Sequence, residues 1–353
     1  MTDLFLKIKA QLDAKRPFAV YSKPGSTMVT GIFQASDKSY LLTDFTQQGF
    51  VFAPFNGEEY VFIPSEDSDV IVAEIKSNGF APGEPAPVAV DASAKAAFED
   101  LVAKSVKAIK SGQFKKLVTS RTETAQLSGN DITAVYENLL YAYPNAFKYC
   151  FFHPKTGLWM GATPEQLLKA QNHTIHTVAL AGTQLYKEGE TAVWENKEKE
   201  EQQFVTDFIL KELRDYISDI RTTEPYTFRA GNLVHIKTDI SAELKDAQSL
   251  KDVIQTLHPT PAVCGLPKVD AKVFIQEHEG YNREYYAGFL GELNRDFTTG
   301  KHAQTDLFVN LRCMKVCGST AQLFIGCGIT KDSNPEKEFF ETVNKSMTMR
   351  RIL

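Results

Sequence analysis

Residues Ser333–Lys345 read SNPEKEFFETVNK, and their spacing predicts a helix that carries chemistry. Asn334 suits the N-cap with Pro335 at the first helical position, where a missing N–H costs nothing. Alternatively, Ser333 caps and Glu336 completes a capping box three residues on. Glu338 and Glu341 share a face, and Lys345 extends that stripe by a turn. Phe339, Phe340, Val343 and Met347 fall opposite and are expected to anchor the helix. Just upstream, Gly326-Cys327-Gly328-Ile329 supplies glycines that let backbone approach a ligand closely.

A second carboxylate pair lies in ENKEKEEQQFVTDFILKEL, where Glu198 and Glu201 are also three apart. They fall on the arc of Phe204, Val205, Phe208 and Ile209, so they head an apolar stripe. A buried carboxylate is expensive unless paired, protonated or metal-bound. Four glutamates from two helices suit one hard cation such as Mg2+ through oxygen ligands. The competing reading is a solvated, charged first turn.

Composition excludes several classes. The chain has 353 residues, 43% hydrophobic and 24% charged, with net charge −5. That is ordinary for a globular protein of one large or two smaller domains. No basic tract interleaves with aromatics, which argues against nucleic acid. No apolar run approaches the roughly 20 residues of a membrane span, and residues 1–21 lack a signal-peptide core. The five cysteines form no CxxC pair. They read as reduced core residues of a cytoplasmic protein, not as a zinc site.

The opening third reads as a helix over Leu4–Leu12 followed by short strands at Pro17–Tyr21, Thr27–Phe33, Gly49–Ala53 and Glu59–Pro64. The Pro/Ala/Gly-rich stretch Asn78–Ser93 is the linker candidate. It divides a strand-rich region, 1–92, from a larger domain, 93–353. A helix capped by Ser93 leads to a strand beginning at Lys116, and a strand pair turned at Pro154–Gly157 ends just before Glu165. Thr174–Leu180 runs as a strand into Ala181-Gly182-Thr183. Leu307–Val316 and Ala321–Ile329 are expected to form a hairpin turned at Gly318-Ser319, with Arg312 on an alternating strand. Taken singly, Lys116 reads as a strand-edge gatekeeper, Glu165 as a helix N-terminal charge, Arg312 as a snorkelling side chain and His258 as a loop-packing residue. In a pocket, Arg312 would instead clamp a carboxylate bidentately.

In order along the chain, the blocks KLVTSR, GATPEQLL, ALAGT, KEKEEQQFVTDFI, LHPTPAVCGLP, NREYYAGFLGEL, VNLRCMKV and GCGITKDSNPEKEFFETVNK resemble the chorismate-utilising enzymes. That family includes isochorismate, salicylate, anthranilate and aminodeoxychorismate synthases. The resemblance covers about residues 95–353. It implies an α+β fold of large antiparallel sheets flanked by helices, with chorismate as substrate and Mg2+ as cofactor. The chain departs from the pattern at KEKEEQQ, where the family often has an Arg and a His. It departs again at Cys264 and Cys327, where small residues are common.

The resemblance also implies roles. Lys116 falls where the hydrating branches carry a general-base lysine and the amine-adding branches typically carry Gln. Ala181 falls where aminodeoxychorismate synthases carry a nucleophilic lysine. Water is therefore the implied nucleophile, no glutamine amidotransferase subunit is expected, and the blocks look closest to menaquinone-type isochorismate synthases. Mg2+ would be held by Glu201, Glu338 and Glu341, with Glu198 through water. Arg312 and Lys345 would contact substrate carboxylates, and backbone around Gly182, Thr183, Gly326 and Gly328 would complete the cradle. Lys116 would activate water, and Glu165 would protonate the departing hydroxyl. A salicylate synthase that also eliminates pyruvate, and a non-catalytic chorismate- or metal-binding homologue, are the competing readings. The sequence leaves open whether a menaquinone or a siderophore pathway is served.

Overall fold

The hairpin expected around Gly318-Ser319 is present, but only its second half runs as read. Cys313–Cys317 pairs with Thr320–Ile329, and Gly318 turns between them at φ +63°. The first arm breaks. Gln304–Val309 belongs to one sheet and Cys313–Cys317 to the other, so the chain changes sheets at Asn310–Arg312. Arg312 there adopts φ +47°, a left-handed conformation uncommon for a non-glycine residue. Asn310 is fully buried and secures the crossing. Its Oδ1 accepts from the Tyr149 hydroxyl at 2.6 Å, and its Nδ2 donates to the Tyr285 carbonyl at 2.9 Å. Apolar alternation cannot register a change of sheet, because both arms are extended and buried.

This computed structural model describes residues 1–76, 90–127, 129, 131–230, 233–246 and 248–353, without the side chains of 183, 185, 197, 230 and 233. Most of the linker candidate 78–93 therefore lies outside the described residues. The described residues form two large antiparallel sheets, of nine and ten strands, and seven α-helices. This is the α+β architecture that the motif order implies. The nine-stranded sheet runs, in spatial order, through Gly265–Leu266, Lys116–Gln126, Thr320–Ile329, Cys313–Cys317, Gly157–Thr163, Phe147–His153, Phe18–Ser22, Met28–Gln34 and Ser68–Glu74. The strands Gly49–Ala53, Val61–Pro64 and Tyr40–Leu41 end the ten-stranded sheet. The opening 74 residues thus supply strands to both sheets.

Aromatic rings fill the space between the sheets. Phe147 stacks on Phe308 at 4.2 Å and Phe52 on Tyr285 at 4.5 Å. Trp159 is wholly buried and stacks on Phe324 at 5.1 Å. Rings of this size bury a large apolar area and hold a specific mutual geometry, so they fix how one sheet lies on the other. A second core lies on the far face of the nine-stranded sheet, where Leu4, Ile8, Tyr136 and Leu139 come from the helices Thr2–Asp13 and Ile132–Ala142.

Two helices position the site. Pro335–Arg350 is capped by Asn334, whose Oδ1 accepts from the Lys337 N–H at 3.0 Å. Phe339 is buried against Phe98, but Phe340 is 44% exposed and does not anchor the helix. Asn196–Leu213 packs on the strand Thr174–Leu185 and buries Val205, Ile209 and Leu213. The helix after the linker is capped by Asp91, not Ser93: its carboxylate accepts from the Ser93 and Ala94 N–H groups.

Candidate active site

The antiparallel register of Lys116–Gln126 with Thr320–Ile329 sets Val118 opposite Gly328 and Ser120 opposite Gly326. Lys116, at the start of its strand, is thereby brought beside the glycine pair. It is only 3% exposed, and the short strand Gly265–Leu266 covers its edge, so it is not a gatekeeper. Its Nζ lies 2.6 Å from Glu201 Oε1 on the facing helix. A Cβ at Gly328 would come within 3.2 Å of that carboxylate oxygen and 3.3 Å of Lys116 Cε. The absence of a side chain at Gly328 is what leaves room for the pair.

Glu165 sits between two strands, Gly157–Thr163 and Gln166–Gln171, and not at a helix N-terminus. Its backbone N–H donates to Thr163 Oγ1 at 3.3 Å, and its carbonyl accepts from the Val309 N–H at 2.9 Å. Burial pushes its carboxyl up to about 7, against the opposing pull of Lys116, Arg312 and Lys345. An acid poised there holds a proton near neutrality and can release it.

Both groups face a cavity of about 340 Å3. Its wall also carries Gly182, Glu198, Glu201, Arg312, Gly326, Gly328, Glu338, Glu341 and Lys345. Of the nominated residues, only Thr183 is absent from that wall, and its side chain is outside the described residues. Arg312 reaches the cavity from the sheet crossing, and no carboxylate pairs with it among the described residues. Lys345 Nζ donates to the Gly326 carbonyl at 3.1 Å and lies 2.6 Å from Glu341 Oε1. Gly182, at φ +67°, leaves space for Glu198, whose Cβ would lie 3.1 Å from an added Cβ.

The four glutamates line this one cavity but are not gathered around a point. Among the described residues, no three His, Cys, Asp or Glu side chains stand as a group able to hold a metal ion. Glu201 and Glu341 are instead neutralised by Lys116 and Lys345. The donor set is all oxygen, as a hard cation requires. Glu198 Oε2 is buried with no hydrogen-bond partner among the described residues, an arrangement that favours an incoming cation.

Several contributors escaped the sequence reading. His235 lines the cavity, and its Nδ1–H donates to the Gly182 carbonyl at 2.9 Å. Burial pushes its pKa down to about 4, so the ring is neutral at physiological pH. Its strand, Leu233–Leu244, also carries Lys237, Thr238, Asp239, Ser241 and Glu243, so no pattern in the sequence singles it out. Arg283 is buried with Glu279. Its guanidinium donates to the carbonyls of Val118 and Val263, at 2.7 and 2.9 Å. Glu279 in turn accepts from the Ser120 N–H at 2.7 Å. This ion pair ties the Lys116 strand to the Pro/Gly loop. His258 stays outside the cavity, its Nε2–H donating to the Pro54 carbonyl at 3.0 Å, which is the loop-packing role read for it.

The family model for chorismate binding enzymes matches residues 67–353. The chain belongs to the chorismate-binding enzyme family. Among curated relatives, it is 31% identical over 274 residues to the salicylate biosynthesis isochorismate synthase of Pseudomonas aeruginosa, covering 74% of this chain and 56% of that one. It is 28% identical over 268 residues to the isochorismate synthase MenF of Escherichia coli, covering 73% and 60%. An anthranilate synthase component 1, from Methanothermobacter marburgensis, is 27% identical over 272 residues, covering 73% and 57%. The match thus spans well under two thirds of these relatives' own length. The solved structure of DhbC from Bacillus anthracis superposes on this chorismate-binding enzyme with TM-score 0.78 at 21% identity, covering 98% and 99% of the two chains. That of Escherichia coli MenF superposes with TM-score 0.77 at 21% identity, covering 96% and 88%. These similarities establish a shared fold. Among the described residues, no helix is long and apolar enough to cross a membrane.

Proposed function

We propose that this chorismate-binding enzyme is an isochorismate synthase, converting chorismate to isochorismate by adding water at C2 and losing the C4 hydroxyl. The observation that carries the reading is the pairing, across one cavity, of Lys116 with a Glu165 held near 7. Lys116, once free of its proton, takes one from water as the oxygen bonds to C2. The ring double bonds shift and the C4–O bond breaks. Glu165 gives its proton to the departing hydroxyl, which leaves as water. One water enters and one leaves, and solvent exchange resets both groups. A general base and a general acid lining one cavity form the expected acid–base pattern.

Arg312 and Lys345 are the cations on the cavity wall suited to the two carboxylates of chorismate. To hold Mg2+, Glu198, Glu201, Glu338 and Glu341 would have to draw together, with Glu201 and Glu341 turning from Lys116 and Lys345; the bound ion would neutralise negative charge on the substrate's ring carboxylate. Ala181 on the cavity wall offers no amine to compete with water. The reaction needs no ammonia, and hence no amidotransferase partner. The isochorismate synthase names of the relatives agree with this choice.

The test is chromatography of products from chorismate and Mg2+ without an ammonia source, with isochorismate expected as the main product. Pyruvate rising in step with chorismate loss would make the protein a salicylate synthase. Anthranilate formed from added ammonium at a comparable rate would overturn the hydration reading. Binding of chorismate without turnover would make the protein a non-catalytic homologue.

A further inference from the structure

The strand Leu233–Leu244 buries Ile236, Thr238, Ile240 and Ala242 on one side, where Thr238 Oγ1 accepts from Gln202 Nε2 of the facing helix at 2.7 Å. His235, Lys237, Asp239 and Ser241 alternate onto the other side, and a cavity of about 300 Å3 lies there. It adjoins the catalytic one. Glu165 and Gln166, Leu180 and Val178, and His235 and Lys237 line the first and the second cavity in turn. Lys237 stands opposite Leu180 at the boundary, with Asp239 at 2.8 Å. Farther out, Lys169, His176, Ser241 and Arg221 stand in register across four adjacent strands. Residues directly opposite share a face, and all of these but Ser241 are exposed. A regular strand would turn Ser218 and Arg221 to opposite faces; the bulge between them brings Arg221 to this one. Among the described residues Arg221 makes no side-chain hydrogen bond or ion pair, so its guanidinium is free to take an anion.

The substrate proposed above is a dicarboxylate. It approaches a chain of net charge −5 and a cavity walled by five glutamates, so its arrival is opposed unless the route in is positive. We infer that this sheet face is an entry site for the dianionic substrate, where Arg221 and Lys169 capture it from solvent and Lys237 passes it to the catalytic cavity. The inference rests on the proposed function only for the identity of that substrate. Ser241, in the outer row, lies six residues along its strand from His235, about 20 Å at roughly 3.3 Å per residue. At about 0.15 M ionic strength the Debye length is about 8 Å. The outer row therefore does not act on a substrate already seated between Lys116 and Glu165. It speeds arrival and departure alike, and leaves the affinity of the seated substrate unchanged.

The double variant Lys169→Gln/Arg221→Gln removes two exposed charges and leaves the catalytic cavity intact. Chorismate association is followed by stopped-flow tryptophan fluorescence, since Trp194 lies beside Gly182 on the cavity wall, and independently as kcat/KM. At about 0.01 M ionic strength, where the Debye length is about 30 Å, the association rate should fall roughly tenfold, the low end of electrostatic steering. The gap should close near 1 M salt, where that length is about 3 Å. At saturating chorismate kcat should not change, nor should Kd by equilibrium dialysis at about 0.15 M ionic strength. The charge-conserving pair Lys169→Arg/Arg221→Lys should associate at the wild-type rate. Equal association rates for wild type and the Gln pair at low ionic strength would overturn the entry site. A lowered kcat or a raised Kd would also overturn it, by making these residues part of the substrate's seat, and a slow charge-conserving pair would assign the effect to packing. Wild-type protein is measured first: failure to bind chorismate would overturn the proposed substrate along with its entry site, whereas binding with a product other than isochorismate would overturn the hydration reading alone, and the association rates would still decide the entry site.

Discussion

Replacing Glu165 by Gln separates the chemistry of the site from its stability. Burial moves this carboxyl from 4.5 to about 7 in the folded chain. At 1.36 kcal/mol per pKa unit, that displacement disfavours the ionised form by about 3 kcal/mol, less whatever water in the cavity screens. The sign follows from linkage. The unfolded chain loses this proton near 4.5 and the folded one near 7. Stability therefore falls as pH rises through that window, and the full cost is present above it. Gln keeps the shape and carries no charge. Glu165→Gln should be more stable than the wild type at pH 8 by up to about 3 kcal/mol, and nearly unchanged at pH 4. Its turnover of chorismate should drop by roughly 10²–10⁴-fold, the usual worth of a general acid. Above pH 7 the wild-type kcat/KM, which reports the free enzyme, should lose about tenfold per pH unit relative to that of the variant, because only the wild type gives up the Glu165 proton there. Urea denaturation at the two pH values and chromatographic product assays measure both effects. Near wild-type turnover by Glu165→Gln, or the same alkaline limb in its profile, would refute the assignment of Glu165 as the acid.

Three further outcomes are expected. Lys116→Met should abolish isochorismate formation while leaving chorismate binding measurable by dialysis, since water at neutral pH is a poor nucleophile without a base; retained turnover would remove Lys116 from the mechanism. Chelation of divalent cations should stop turnover reversibly, and Glu341→Gln should weaken Mg2+ binding measured by calorimetry; full activity in excess chelator would remove the metal. Lys148 is wholly buried, donates only to the Pro144 carbonyl among the described residues, and has its pKa pushed down by burial to about 8. Its charge is thus a burden below that value, relieved as pH rises toward the unfolded value of 10.5. Lys148→Met should stabilise the fold at pH 7 by about 1–3 kcal/mol in urea titrations, with no change in kcat.

The sequence by itself marked the helix that begins at Asn334-Pro335 and nominated residues that the fold brings to one cavity, because those signals are local. The Glu338/Glu341 stripe follows from helical spacing, and the Asn334 cap and Pro335 mark where it starts. The order of motif blocks carried the family and hence the α+β class. Tertiary structure alone decided how these pieces combine. The change of sheet at Asn310–Arg312 is invisible to alternation, because the chain stays extended and buried on both sides of it. The roles of His235 and the Glu279–Arg283 pair depend on carbonyls 20 to 165 residues distant in the chain. The pairing of Lys116 with Glu201 is likewise a matter of register and helix docking, 85 positions apart in sequence. Residue type says that a lysine or a glutamate can be charged. Only burial, and the partner that folding brings within 3 Å, decide what that charge is used for.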